Sequence, residues 1–303
     1  MTLISEVAEG PQRGRAYLFL TLTTLFWAGN VIAARIAVGE VSPMLLITLR
    51  WFGTVVLLLA VGGVQLRRDW PVLRRRLPYL TTMGVIGLTA FNALFYLAAH
   101  ETTAVNIGIL QGAMPVFVLL GSVALFRTKL GVLQLSGVAI TMAGVVLVVS
   151  QGNLVVLAAL DFNQGDLFML LASLLYAAYA LGLRNRPQVS PVSVLTVISA
   201  AAAIATLPLV VAEGFMDRTV WPSVDGWAIV AYVTVFPSVM AQLFFIKGVT
   251  LIGPARAGVF INLVPVFAAI FAVAILSESF RWYHLGALVL ILAGIWLAER
   301  RAV

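Results

Sequence analysis

Apolar residues run along this chain in blocks of about twenty, separated by short polar stretches and without the alternation of a half-buried strand. A helix needs roughly 20 mostly apolar residues to cross the hydrocarbon core of a bilayer, so each block reads as a membrane span. Ten are predicted: Ala16 to Val38, Met44 to Val64, Leu77 to Ala99, Thr103 to Phe126, Leu130 to Ser150, Gly165 to Leu183, Val192 to Ala212, Trp227 to Lys247, Pro254 to Leu276 and Trp282 to Ala298. Arg13 and Arg15 before the first block resemble the start of a signal peptide. Nine blocks follow, however, and the first has an internal counterpart, so it reads as a retained span.

Composition agrees with an all-α integral membrane protein. Hydrophobic residues make up 62% and charged residues 10% of the 303 positions, against roughly 25% charged in soluble domains. Mean hydropathy is +1.05. The absence of cysteine excludes disulfides and thiolate chemistry, and with His100 and His284 the only histidines, neither a metal site nor a cofactor is expected. The net charge of +7 comes without a basic patch interleaved with aromatics, so nucleic acid is not an expected partner. The charge instead sets orientation. With a cytoplasmic amino terminus, the inner side receives Arg13, Arg15, Arg67, Arg68, Arg74 to Arg76, Arg127, Lys129, Arg184, Arg186, Lys247, Arg256, Arg300 and Arg301; the outer side receives only Arg35, Arg218 and Arg281. Both termini are therefore expected in the cytoplasm, with Glu40, Glu101, Asp161, Asp166, Asp217 and Asp225 outside.

The blocks repeat. "FWAGNVIAAR" (Phe26 to Arg35) aligns with "LYAAYALGLR" (Leu175 to Arg184), and each precedes a "VSP", at Val41 to Pro43 and Val189 to Pro191. "FNALFY" (Phe91 to Tyr96) aligns with "AQLFFI" (Ala241 to Ile246), "GILQGAMPVF" (Gly108 to Phe117) with "GVFINLVPVF" (Gly258 to Phe267), and Ala143 and Gly144 with Ala293 and Gly294. The offset stays near 150 throughout, which implies two five-span halves at residues 16–150 and 165–299. Residues 1–15 form a cytoplasmic segment, 151–164 an extracytoplasmic connection and 300–303 a cytoplasmic end. Five spans per half invert the second half relative to the first, the arrangement that places a site near the midplane between two rocking halves.

Polar groups inside a bilayer are costly and usually face the bundle interior. Those recurring in both halves select Trp27 with Tyr176, Asn30 with Tyr179, and Asn92 with Gln242. Tyr96 extends the stripe of Asn92, and Gln111 and Asn262 correspond more loosely, one step out of register. These residues are candidate ligand contacts. The structural alternatives are belt aromatics and amides that bond neighbouring helices. His100 and Glu101 read as outer surface residues. Gly108, Gly112 and Pro115, with Gly258 and Pro265, mark matched candidate hinges, because proline removes a helical hydrogen bond and glycine permits close contact or bending. Arg50 lies inside the second span, about 10 Å from its outer end, and has no equivalent in half two; it reads as a structural charge that snorkels outward or faces exposed carbonyls, Glu40 or Glu101, with ligand binding as the alternative.

The paired five-span halves, the "VSP" before each second span, the "PVF" of each fourth span and the "AG" of each fifth resemble the EamA family of the drug/metabolite transporter superfamily. "LSESFRWYHLGALVLILAG" (Leu276 to Gly294) is similar to that family's end-of-repeat pattern, with Glu278 as its structural acid, whereas the first half has Thr128 at the aligned position. Overall pattern and aromatic content most resemble the YddG-type aromatic amino-acid exporters. The resemblance implies a cytoplasmic-membrane transporter that moves a small metabolite outward, an amino acid first of all, with multidrug export as the neighbouring reading. A lipid scramblase would instead carry a polar groove open to lipid. No nucleophile with a nearby base points to an enzyme. A cavity of Trp, Tyr, Asn and Gln without central charge suits zwitterions or neutral amphipathic molecules, and the absence of mid-membrane Asp or Glu favours facilitated movement or coupling through the substrate.

Overall fold

A computed structural model of the chain describes residues 11–127, 131–153, 155–156, 162–252 and 260–299. Gly258, Thr128, Lys129, Asp161 and Arg256 lie outside them. Every regular element among the described residues is helical: α1 (Pro11–Ile36), α2 (Pro43–Leu73), α3 (Leu77–Gly84), α4 (Phe91–Glu101), α5 (Ala104–Gln111), α6 (Met114–Phe126), α7 (Val132–Val149), α8 (Gln164–Gly182), α9 (Pro191–Phe215), α10 (Val224–Val233), α11 (Ala241–Ile252), α12 (Val264–Leu276) and α13 (Trp282–Glu299). In a medium without water the backbone must satisfy its own hydrogen bonds, and helices do so within one segment.

Seven helical stretches among the described residues are long and apolar enough to cross a membrane, and two shorter apolar helices, Val264–Leu276 and Trp282–Leu297, accompany them. One of the seven, Pro43–Glu101, has 59 residues and would measure about 90 Å if straight. It folds back instead: Arg50 of α2 reaches Asn92 of α4 at 3.0 Å, and the reversal lies at the 3₁₀ turn Arg74–Arg76.

Local chemistry fixes the helix ends. Pro43 and Pro191 open α2 and α9, where a missing N–H costs nothing. Asn163 caps the N–H groups of Gly165 and Asp166, Thr103 caps Asn106, and Ser223 caps Gly226. Arg127 and Ser277, after α6 and α12, both take left-handed conformations, with φ of 53° and 55°.

Two irregularities recur at matched places. Between α3 and α4 the backbone runs as a π-helix over Val85–Ala90, and between α10 and α11 it does so over Thr234–Met240. The fourth block of each half is broken rather than kinked. Gly112 and Ala113 donate to carbonyls three residues back, Ile109 and Leu110, which ends α5 before Pro115 enters the first turn of α6. Leu263 does the same toward Phe260, before Pro265 in the first turn of α12. The prolines therefore start new helices.

Packing joins the halves. The main helix pairs are α7 with α13, α2 with α9, α1 with α11 and α4 with α8, each taking one member from either side of residue 150. At the α7–α13 crossing a Cβ on Gly144 would meet the carbonyl of Ala287, and one on Gly294 the carbonyl of Gly137, so only glycine lets these backbones approach. The first helix of each half also packs on the π-turn of the other, α1 on Thr234–Met240 and α8 on Val85–Ala90.

Candidate functional site

The π-turns and broken helices surround a cavity of about 680 Å³. Seven of the nine candidate contacts line it: Trp27, Asn30, Asn92, Gln111, Tyr176, Gln242 and Asn262. Gly112, Pro115 and Pro265 also line it, which puts both helix breaks in the cavity wall. Tyr96 and Tyr179 do not. Tyr96 lies behind the wall, where its hydroxyl meets Arg50, and Tyr179 is turned against Gly87 of the π-turn. Gly108 packs on Ala268 instead of facing the cavity.

Arg50 departs furthest from expectation. Its guanidinium faces neither Glu40 nor Glu101; it lines the cavity, only 6% exposed. Its Nε donates to Ser238 Oγ at 2.7 Å, and its Nη1 approaches Asn30 Oδ1 at 3.2 Å, Asn92 Oδ1 at 3.0 Å and the Tyr96 hydroxyl at 3.0 Å. Local sequence prepares each acceptor. Asn92 donates its amide to the carbonyl of Leu88, which leaves Oδ1 for the arginine. Pro237 lacks the N–H that would pair with the Val233 carbonyl four residues back, and the Ser238 hydroxyl supplies the missing donor at 2.7 Å, leaving its lone pairs toward Arg50. Trp27 reaches the same irregular turn, its indole N–H donating to the Pro237 carbonyl at 3.3 Å.

The cavity is longer on one side of this layer. Ser122 of α6, Gln134 of α7, Leu183 after α8 and Ile295 of α13 line it toward the end where α6 stops and α7 starts. On the other side Asn30, Arg50, Phe95 and Gln111, six or seven positions in from their helix ends, mark its limit. Aromatic rings pack around the middle: Phe91 on Tyr176, Tyr176 on Tyr179 and Trp27 on Phe245.

The sequence profile of the EamA-like transporter family matches the chain twice, at residues 14–150 and 163–299. The chain belongs to the EamA-like transporter family. It is similar to the uncharacterized transporter YyaM of Bacillus subtilis, 27% identical over 290 residues that cover 93% of each chain. An uncharacterized transporter of Archaeoglobus fulgidus is 28% identical over 296 residues, covering 95% of this chain and 98% of that one. The uncharacterized inner membrane transporter YedA of Escherichia coli is 26% identical over 302 residues, 94% of each. A crystal structure at 19% identity shares the fold, with a TM-score of 0.63 over 94% of this chain and 96% of that one. The chain is thus a multi-pass membrane transporter rather than an enzyme.

In this EamA chain the end beyond Arg50 is bound across the halves by buried carboxylates. Glu213 of α9 accepts from the Ser42 hydroxyl at 2.6 Å and from the N–H groups of Met44 and Leu45 at 3.1 and 3.2 Å, capping α2. Glu278 accepts from the N–H groups of Ala104 and Val105, 2.9 Å each, capping α5, and pairs with Arg35 at 3.9 Å. A carboxylate at a helix N-terminus satisfies orphan donors and opposes the helix dipole. Asp166, which the sequence reading assigned to the outer side without a role, takes part in a buried network. It is fully buried, accepting from the Thr102 hydroxyl at 2.6 Å and from the Asn106 amide at 3.1 and 3.2 Å, while Asn106 Oδ1 meets His284 Nε2 at 3.1 Å. An acid in the first turn of a helix ordinarily reads as an exposed dipole partner, so no sequence signal marked this network. His100 and Glu101 are exposed, as expected.

Among the described residues the opposite end is held more lightly. Asp69 accepts one backbone N–H, from Ser190 at 3.2 Å, Tyr79 donates to the Gly182 carbonyl, and Arg184 lies over the Phe126 ring at 4.5 Å.

Proposed function

We propose that this transporter carries small metabolites, amino acids with apolar or aromatic side chains first among them, outward across the cytoplasmic membrane by alternating access. In this reading the chain makes ten spans in two inverted five-span halves, 16–150 and 165–299, with both termini in the cytoplasm. Pro43–Glu101 counts as two spans, and the two shorter apolar helices complete the second half.

The observation that carries the reading is a single cavity built symmetrically from both halves, with aromatic faces and amides from matched positions. Rings take an apolar side chain and amides take its polar end. The uneven length of the cavity about Arg50, toward the side that the basic loops assign to the cytoplasm, supports an inward-facing state. The carboxylate caps at the other end then form the closed outer gate, and the helix breaks at Gly112 to Pro115 and Asn262 to Pro265 are the hinges.

Counterflow in proteoliposomes with labelled amino acids tests the substrate class. Leucine, phenylalanine and tryptophan are expected to exchange, with strong losses in Trp27→Ala, Asn92→Ala and Tyr176→Ala proteins of normal fold. Exchange of lipid or of cationic drugs with no amino acid would sink the assignment. Because the chain has no cysteine, Ser122→Cys is a clean reporter of access. A membrane-impermeant thiol reagent is expected to label it from the cytoplasmic side of the resting protein, and labelling from the outer side alone would reverse the orientation.

A further inference from the structure

Arg50 is a buried cation with no anion beside it among the described residues. Its four partners, Ser238, Asn30, Asn92 and Tyr96, are neutral, and no described carboxylate lies within salt-bridge distance. A guanidinium has five N–H donors. Nε uses one and Nη1 shares its two among three oxygens, whereas Nη2 donates to no described group. Trp51 adds a second unspent donor: its ring lines the same cavity, it is 3% exposed, and its indole N–H has no partner among the described residues. The Arg50 guanidinium stands 5.1 Å from the centroid of that ring.

An arginine inside a membrane helix is costly, and a purely structural one ordinarily consumes its donors on carbonyls or an acid. Here neutral dipoles hold the planar group rigidly by Nε and Nη1, and one edge is left for the cavity. That fixed fork matches an oxygen pair far better than a lysine would. Among the described lining residues there is no Asp, Glu or Lys, so the site carries one fixed positive charge and nothing to balance it.

The geometry points to Arg50 as the carboxylate anchor of the transport cavity, and to monocarboxylates with an apolar or aromatic body as its ligand class. The inference rests on the transport reading for the use of the site, but binding tests it separately. The carboxylate meets Nη2 and the Trp51 indole edge, while the apolar body extends along Trp27, Phe91, Tyr176 and Phe245. An α-amino group finds no acidic partner in the described lining. An amine-free carboxylate therefore binds at least as tightly as the amino acid of the same skeleton, whereas a matched amide or amine loses the anchor.

Equilibrium binding to the purified full-length protein, followed by ligand-induced thermal shift and tryptophan fluorescence, decides this with four probes of one skeleton: 3-phenylpropionate, phenylalanine, phenylalaninamide and phenethylamine. The two carboxylates are expected to bind roughly tenfold to a hundredfold more tightly than the two others, as the loss of a charge-assisted bond implies. Phenylalanine binding much more tightly than 3-phenylpropionate would keep the anchor and overturn the preference for net anions. Arg50→Gln should abolish the advantage of the carboxylates, and Arg50→Lys should restore part of it. The wild-type series stands even if a variant fails to fold. Equal affinity for amide and carboxylate, no carboxylate binding by the wild type, or undiminished 3-phenylpropionate binding by folded Arg50→Gln overturns the inference. Counterflow with the same probes separates the two readings. Carboxylate binding without exchange keeps the anchor and removes transport, and exchange of phenethylamine but not 3-phenylpropionate keeps transport and removes the anchor.

Discussion

The first half of the chain puts an amide and a cation where the second puts a ring and an aliphatic. Asn30 stands opposite Tyr179 and, in the register set by the two "VSP" motifs, Arg50 opposite Ile198, whereas Asn92 meets another amide in Gln242. The frame around them is shared: a π-turn in each third span, a break in each fourth and a glycine crossing in each fifth. Duplication thus fixes the frame, and divergence decides which side chains meet the cavity: Asn30 and Arg50 line it, Tyr179 and Ile198 do not. Ile198 is buried with its carbonyl against Gly84, a packing role with no chemistry. Two identical halves would make a cavity with equivalent ends. The asymmetry puts the one charged side chain of the described lining, Arg50, on the first half, so a bound molecule meets unlike surroundings at its two ends.

The largest expected effect tests where the halves should remain equivalent. Gly144→Leu and Gly294→Leu each push a side chain against a backbone carbonyl that has nowhere to go. Each should lower stability by about 1–3 kcal/mol or more, read as a fall in the detergent unfolding midpoint. Unequal losses would show that the two halves do not contribute equally to the α7–α13 crossing. The next effect probes the unequal ends. Glu213→Gln removes a charge that accepts three bonds and should cost about 1.5–3 kcal/mol, whereas the half-buried Asp69→Asn should cost under about 1 kcal/mol. Equal costs would mean that neither end is the tighter gate. In the same Glu213→Gln protein, outer-side labelling of Ser122→Cys should rise several-fold as the outer clamp loosens. The smallest effect compares matched aromatics. Trp27→Phe loses its bond to Pro237 and should cost about 0.5–1.5 kcal/mol, while Tyr176→Phe should stay within about 0.5 kcal/mol. A costly Tyr176→Phe would reveal a hydroxyl contact in half two equal to that of Trp27.

Much of this was legible in the sequence because a bilayer imposes so few solutions. The apolar blocks marked the helices, and the repeat identified seven of the nine candidate contacts that line the cavity. What escaped was orientation about each helix axis. Tyr96 sits one turn beyond Asn92 on the same helix and bonds Arg50 behind the wall, and Tyr179, on a helix with no irregularity of its own, packs against Gly87 of the π-turn Val85–Ala90. Such a turn has no reliable sequence mark: Pro237 hints at one, but Val85–Ala90 contains no proline. The partners of Arg50 escaped for another reason. They lie 20, 42, 46 and 188 residues away, and no local pattern shows whether a guanidinium's donors are all spent. The fourth blocks read as hinged at their prolines and glycines; that the helix ends there escaped as well, because the tight turns at Gly112 and Ala113 precede Pro115 without a sequence mark of their own.

The Arg50 cluster also bears on how the chain is made. Ribosomes add roughly 5–20 residues per second, so about 150 residues of first half wait in the membrane for some ten to thirty seconds before the second is complete. During that wait the first half lacks the surfaces that will cover α1, α2 and α4. Its one deep charge is nevertheless not stranded. Asn30, Asn92 and Tyr96 all belong to the first half, and only Ser238 arrives late. The nascent half carries its own dipolar solvent for the arginine, and the last hydrogen bond to Arg50, from the turn at Pro237, forms when the two copies meet.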